Sequence, residues 1–218
     1  MGRPSMSAET IRNNRKLIIR TTTEMIHEGG FQSVSARSIG SRIGMNSALI
    51  YRYFRDIDEV VLFACVHALN EYAKEMSAAG YDENCSAEEL YILSWEFFSK
   101  HAFSSPEEFN VLFFSRHSID LPAVIRDYYD LFPEDADNDP DYVIQAMFRT
   151  ANLKERNLMV LIPALEGRTS QDNIILINEM TIAYFYALLI QLVGNEHSIT
   201  ADQQTARMLK AVRFTLNI

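Results

Sequence analysis

The chain has 218 residues, 48% of them hydrophobic and 22% charged, a length that buries roughly 70% of the unfolded surface without help from a metal or a disulfide. That composition excludes intrinsic disorder, a collagen-like repeat and a cysteine-stapled secreted module, and 8 Gly with 6 Pro leave too few turn signals for a many-stranded sheet. The net charge of −9 is unevenly placed: residues 1–55 hold nine Lys/Arg against three acids, net +6, while the remainder carries −15, so a basic head of the kind that binds a polyanion sits on an acidic body.

Nearly every segment has helical periodicity. Residues 8–28 place Ile11, Ile18, Met25 and Ile26 on one stripe and stop at Gly29-Gly30; Thr21-Thr22-Thr23 weakens that helix through β-branching. Ser35 caps a short helix ending at Ile43-Gly44, and Asn46 caps another running to Phe54. Asp56-Ile57-Asp58-Glu59 forms a capping box that opens a long helix to about Ala79. Ser86-Ala87-Glu88-Glu89 opens a helix over 86–103, and Ser105-Pro106-Glu107-Glu108 opens one over 106–117. A further helix covers 120–132, an acidic loop spans Pro133 to Asp141, and helices are expected over 142–164, 172–194 and 200–216. The expected fold is all-α.

The stretch Ile174–Gly194 has 16 apolar, Tyr or Ala residues in 21, close to a membrane-spanning length. Asn178, Glu179 and Gln191 interrupt it, so the better reading is a helix buried on nearly all sides, as at a subunit interface. Cys65 and Cys85 have no metal-type spacing and suit a reducing cytoplasm, and the polar first thirty residues lack a signal core; a cytoplasmic protein is expected.

The informative region is 35–54. Two short helices joined at Gly44-Met45 have the sequence form of a helix-turn-helix, whose tight turn needs a glycine. Ile39, Ile43, Met45, Ile50 and Phe54 point inward, leaving Ser47, Ala48, Leu49, Tyr51, Arg52 and Tyr53 at or near the exposed face. In this motif the second helix enters the major groove with its N-terminal residues at base edges. Short side chains at Ser47 and Ala48 allow close approach, and Arg52 reaches phosphate or guanine.

Gly30-Phe31, Ser35, Ile39-Gly40, Ile43-Gly44, Ile50-Tyr51 and Tyr53-Phe54, within 11–63, resemble the signature of the TetR family of bacterial transcriptional regulators. The resemblance implies that Ser35 is a capping residue touching phosphate, that Arg37 reads a base, and that Tyr51 and Tyr53 contact backbone or groove. The chain departs from the family where a lysine is usual and Ile57 stands, so Arg55 is the candidate substitute clamp; Gly40, Ile43 and Ala48 are milder departures. Gly2-Arg3-Pro4 resembles the basic arms some members lay in the minor groove.

A DNA-binding domain over 1–55 and a ligand-binding and dimerisation domain over 56–218 follow, with helix 56–79 connecting them. One head contacts few bases, so a homodimer on a palindromic double-stranded operator is expected. The resemblance places the interface on the last two helices, with Ala183, Tyr184, Ala187, Leu188, Gln191, Leu209, Val212 and Leu216 as candidates. It also implies a small-molecule effector pocket in the aromatic middle helices, with candidates Trp95, Phe98, His101, Phe113, Phe114, His117, Tyr128, Met147 and Phe148. An apolar ligand or a lipophilic cation suits that lining, and its binding would release the protein from the operator by population shift.

Other signals fail on their ligand sets. Asp135, Asp137, Asp139 and Asp141 alternate like a calcium loop, but Pro140 occupies the turn position and Ala146 the twelfth. Ser115, His117 and Asp120 lack a nucleophile elbow, and the histidines form no zinc pair. No catalytic residue, metal site or cofactor is expected. Two alternatives stay open: a DNA-binding protein whose body docks a protein partner, and a helical enzyme with a coincidental head.

Overall fold

The computed structural model describes residues 6–79, 85–135, 152–194 and 198–217. The arm Gly2-Arg3-Pro4, the pocket candidates Met147 and Phe148, most of the acidic loop and the helix expected over 142–151 lie outside the described residues. Every regular element among the described residues is helical: α1 (Ala8–Gly29), α2 (Ala36–Ile43), α3 (Ser47–Ile50), α4 (Ile57–Ala79), α5 (Ala87–Ser104), α6 (Pro106–Phe114), α7 (Leu121–Leu131), α8 (Leu153–Leu165), α9 (Gln171–Val193) and α10 (Ala201–Leu216). They form two compact units. One takes in the described residues up to His67 and from Ala123 to Asp135; the other holds 68–122 and the described chain from 152 onward.

Three helix limits differ from expectation, each for a local reason. α3 does not continue regularly to Phe54: the N–H groups of Arg52 and Tyr53 reach back only three residues, to Leu49 and Ile50, so the helix tightens after one turn. α6 stops at Phe114 because Ser115 is extended. Asn152 is extended too, and its side-chain oxygen accepts the Lys154 N–H at 2.9 Å, so a helix starts there rather than running through from 142.

In the first unit, Ser7 caps α1, and Ile18, Ile19, Met25 and Ile26 bury one face of it. The threonine patch is accommodated by back-bonding, since the Thr22 hydroxyl donates to the Ile18 carbonyl at 2.8 Å inside the core. Ile11, expected on the apolar stripe, is exposed. Against α1 lies α7, whose Val124, Ile125, Tyr128 and Leu131 are buried together with Phe132 just beyond it. The bases of α1 hold this segment. Arg12 donates to the carbonyls of Asp130 and Leu131, which the end of α7 leaves without helical partners. Arg15 lies 3.6 Å from Asp127, and Lys16 and Arg20 lie 3.4 and 2.8 Å from Glu134. Both of the latter cations also sit over the Phe132 ring, at 5.1 and 5.2 Å. Tyr128, expected to line an effector pocket in the body, belongs to this unit and donates to Asp135 at 2.7 Å; burial, and then that carboxylate, push its phenol strongly up.

In the second unit α5 packs against α6, α8, α9 and α10. Its centre is aromatic: Phe185 is fully buried with Phe98, Phe103 and Trp95 at ring distances of 5.2, 5.4 and 5.6 Å. One buried polar chain crosses this core. Trp95 Nε1 donates to Asn157 Oδ1 at 2.8 Å, Asn157 Nδ2 to Asn178 Oδ1 at 2.8 Å, and Asn178 Nδ2 to the Lys154 carbonyl at 3.1 Å, which gives each buried amide a partner. This explains the Asn within the apolar run of α9. That helix is not enclosed on nearly all sides within the chain: Ile174, Ile177, Phe185, Leu188 and Leu189 are buried, while Leu176 (54% exposed), Met180 (62%), Ala183, Ala187 and Ile190 face outward.

Candidate nucleic-acid interface

The reading head is built by local rules. Ser35 and Ser38 cap α2 reciprocally: the Ser38 N–H donates to the Ser35 hydroxyl at 3.1 Å and the Ser35 N–H to the Ser38 hydroxyl at 2.9 Å. Ser35→Ala is expected to cost about 1 kcal/mol, checked by urea denaturation with duplex binding read in parallel. α2 ends at Gly44, whose φ of 68° is left-handed, and the Met45 N–H folds back onto the Gly40 carbonyl at 2.8 Å. Asn46 then caps α3, its oxygen accepting the Ala48 N–H at 2.9 Å. Gly40 is the hinge of this arrangement. A Cβ there would stand 2.7 Å from the Met45 carbonyl oxygen and 3.2 Å from the Ser47 nitrogen, so the close crossing of α2 and α3 needs a residue without one.

Ile39, Ile50 and Phe54 form the expected small core together with Ala36, whereas Ile43 and Met45, read as inward, are only half-buried at its rim. Arg37, Asn46, Ala48, Tyr51 and Arg52 are exposed, and Ser47 and Leu49 half-exposed. Tyr51 is 54% exposed, high for a tyrosine with no packing role. Tyr53 is half-buried, and its hydroxyl accepts from Asn14 at 2.7 Å, so it faces α1. Arg55, the substitute phosphate clamp, turns to Glu59 at 3.1 Å.

The charge count over 1–55 therefore overstates what the head can offer a polyanion. Arg12, Arg15, Lys16 and Arg20 hold the 123–135 segment. Arg42 forks onto Glu28 at 2.6 and 2.7 Å, which holds the Glu28 carboxyl below its ordinary range. Among the described residues of the head, Arg37 and Arg52 are the basic side chains engaged by neither an acidic partner in ion-pair reach nor, like Arg12, a pair of backbone carbonyls. Sequence reasoning missed the contacts of the α1 bases because their partners lie more than a hundred positions away; the acids Asp127 on α7 and Glu134 just beyond it were the available signal.

The pocket candidates of the body separate. Trp95 and Phe98 line a cavity of about 30 Å³ with Tyr72, Leu153, Arg156 and Val160. Phe113 and Phe114 line a different, open cleft beside Ile119, Leu153 and Ile182. His101 is paired with Glu75 at 3.0 Å, which pulls the Glu75 carboxyl down, and His117 faces Asp120 at 3.8 Å. Of the interface candidates, Ala183 and Ala187 face outward and Tyr184, Gln191 and Leu209 are half-exposed. Leu188, Val212 and Leu216 are corrected: each is buried within the chain by the packing of α9 and α10 with α5.

A capped helix, a left-handed glycine turn and a second capped helix with arginine and tyrosine outward define a helix-turn-helix DNA-binding regulator. Residues 18–63 match the family model of bacterial regulatory proteins, tetR family, so the head is a TetR-type DNA-binding domain. No curated protein sequence matches it. Its fold is similar to that of Thermus thermophilus FadR, a TetR-family transcriptional repressor solved in complex with lauroyl-CoA (TM-score 0.55, 14% identity, 91% of this chain and 93% of that one). A TetR-like regulator from Rhodococcus sp. RHA1 (0.52, 14%, 99% and 99%) and a TetR/AcrR-family regulator from Thermobifida fusca (0.51, 17%, 94% and 97%) share it.

Proposed function

We propose that this regulator is a homodimeric repressor that binds a palindromic operator and is released by a small apolar or amphipathic effector held in the second unit. The observation that carries the DNA reading is the outward face of α3 and its flanks, where Tyr51 is exposed and Arg52 and Arg37 stand outside the ion pairs and carbonyl contacts that occupy the other described bases of the head. The dimer reading is supported by Leu176, Met180, Ala183, Ala187 and Ile190, which recur at four- and three-residue steps on the exposed side of α9, the spacing of a helix seam.

The effector reading rests on the aromatic cavity between α5 and α8. Its 30 Å³ holds a water or two, so a ligand binds by parting α5 from α8, and that differential affinity for an opened form is what shifts the population. No carboxylate stands among the described lining residues and Arg156 lies in the wall, which favours a neutral or anionic amphipath over the lipophilic cation. Lauroyl-CoA in the Thermus protein is of that kind.

The test is selection of bound sequences from a random duplex library at two salt concentrations, with protein refolded to remove any bound ligand. One palindrome is expected, with a log–log salt slope of about −4 for two heads of two free arginines each. Arg52→Ala should weaken binding to it roughly tenfold to a hundredfold. No enrichment at low salt would overturn the proposal.

A further inference from the structure

Two spaces in the second unit share a lining residue. Leu153, the first residue of α8, borders both the inner cavity between α5 and α8, about 30 Å³, and the open cleft beside Phe113, Phe114, Ile119 and Ile182, about 670 Å³. The rest of the partition is aromatic: Phe98 of the cavity and Phe113 of the cleft meet edge to face, with ring centres 5.6 Å apart. The two spaces offer different things. The cleft has room for the body of a small molecule, but of its charged rim residues Lys154 is held by Glu179 at 3.1 Å and Glu155 is an acid. The cavity is too small for a body, yet its wall carries Arg156, a residue only 3% exposed whose guanidinium lies over the Phe113 ring at 5.5 Å.

We infer that the effector is a carboxylate with an apolar tail, that the tail lies in the cleft, and that the head passes between Leu153 and Phe113 to be read by Arg156. This rests on the effector reading proposed above and adds to it the ligand's charge, the way it faces and the residue that selects it. Arginine presents several N–H donors in a planar fork, so it takes a carboxylate bidentately in addition to the contacts it already makes. Its weak hydration and the ring face beneath it suit that buried position better than a lysine would. The other residues lining the cavity are neutral, so one guanidinium balances the single charge of a carboxylate rather than the two of a phosphate monoester. Where the head enters, α5 and α8 part, and the bond from Trp95 Nε1 to Asn157 Oδ1, which ties those two helices at 2.8 Å, is directly in its way.

Trp95 is the only tryptophan of the chain, so its emission reports filling of the cavity. The refolded full-length protein is titrated with decanoate and with decanol, which share a tail, at neutral pH where the acid is ionised. Decanoate is expected to shift the emission, to bind at least about tenfold more tightly than decanol, and to release the selected duplex. Arg156→Gln should remove that preference and leave decanol binding as it was. Ile119→Ser, at a position of the cleft that is 84% exposed, should weaken both ligands about fivefold without altering thermal melting. Should Arg156→Gln fail to fold, the wild-type preference and the Ile119→Ser titration decide the matter alone. Equal binding of the two ligands, or a folded Arg156→Gln protein that keeps the preference, overturns this inference and leaves the effector reading standing. So does an Ile119→Ser protein that binds decanoate normally, because the tail would then lie elsewhere. Trp95 emission that neither ligand changes, with the duplex still held, overturns the effector reading and this inference with it.

Discussion

Gly40→Ala is expected to destabilise the reading head by about 1–3 kcal/mol and to weaken duplex binding at least about tenfold, even though alanine is the better helix former. In an exposed helix the exchange would gain up to about 1 kcal/mol. Here the new methyl would stand 2.7 Å from the Met45 carbonyl oxygen and 3.2 Å from the Ser47 nitrogen. Both neighbours are backbone, so neither can swing aside as a side-chain tip would. Relief requires α3 to move away from α2, which lengthens the 2.8 Å bond from the Met45 N–H to the Gly40 carbonyl and shifts Ser47 and Ala48, the residues that must approach base edges. Gly44→Asn is the control. It is also in the turn, but a Cβ at Gly44 meets nothing within 4 Å and asparagine tolerates its left-handed backbone, so near-wild-type stability and binding are expected. Thermal melting followed by hydrogen exchange of the 36–54 amides checks both. A Gly40→Ala protein that melts higher than wild type would show that the crossing is loose.

The head was legible in the sequence because it is built from short-range rules. Ser35, Asn46 and Ser7 act on N–H groups two or three residues away, and Gly44 answers a local backbone requirement. What was not legible depends on distant partners. The reason α1 carries Arg12, Arg15, Lys16 and Arg20 lies at 127–134, and a charge count over a contiguous window assigns such bases to solvent or DNA. Periodicity marked the stripes of α9 and α10 as apolar without saying what covers each. On α9 both the buried and the exposed face are apolar, so Leu188 and Ala187, neighbours in sequence, differ in burial, one in the core and one exposed. The same ambiguity spread the pocket candidates over two places in the second unit and, for Tyr128, into the first.

Glutamate at Ala183 is expected to convert the protein to a monomer and to reduce affinity for the selected palindrome by at least about a hundredfold, because each half-site then has to be held by one head alone. Ala183 sits between Met180 and Ala187 in the middle of the exposed stripe of α9, with Leu176 and Ile190 at its ends. In a two-fold interface the same residue approaches from both subunits, so one substitution buries two carboxylates. Burying unpaired charge costs several kcal/mol per ion, far more than the small area an alanine side chain contributes. Exposure of Ala183 within the chain means that the monomer itself should fold as before, and an unchanged melting of the α5-centred core would show that the loss lies in assembly. Leu188→Glu makes the contrast. Leu188 is fully buried inside the chain, so that variant should fail to fold rather than fail to pair. Sedimentation of Ala183→Glu as a dimer would place the subunit contact elsewhere, and the natural next surface to alter would be the exposed Phe214 of α10, which is 72% accessible in the single chain.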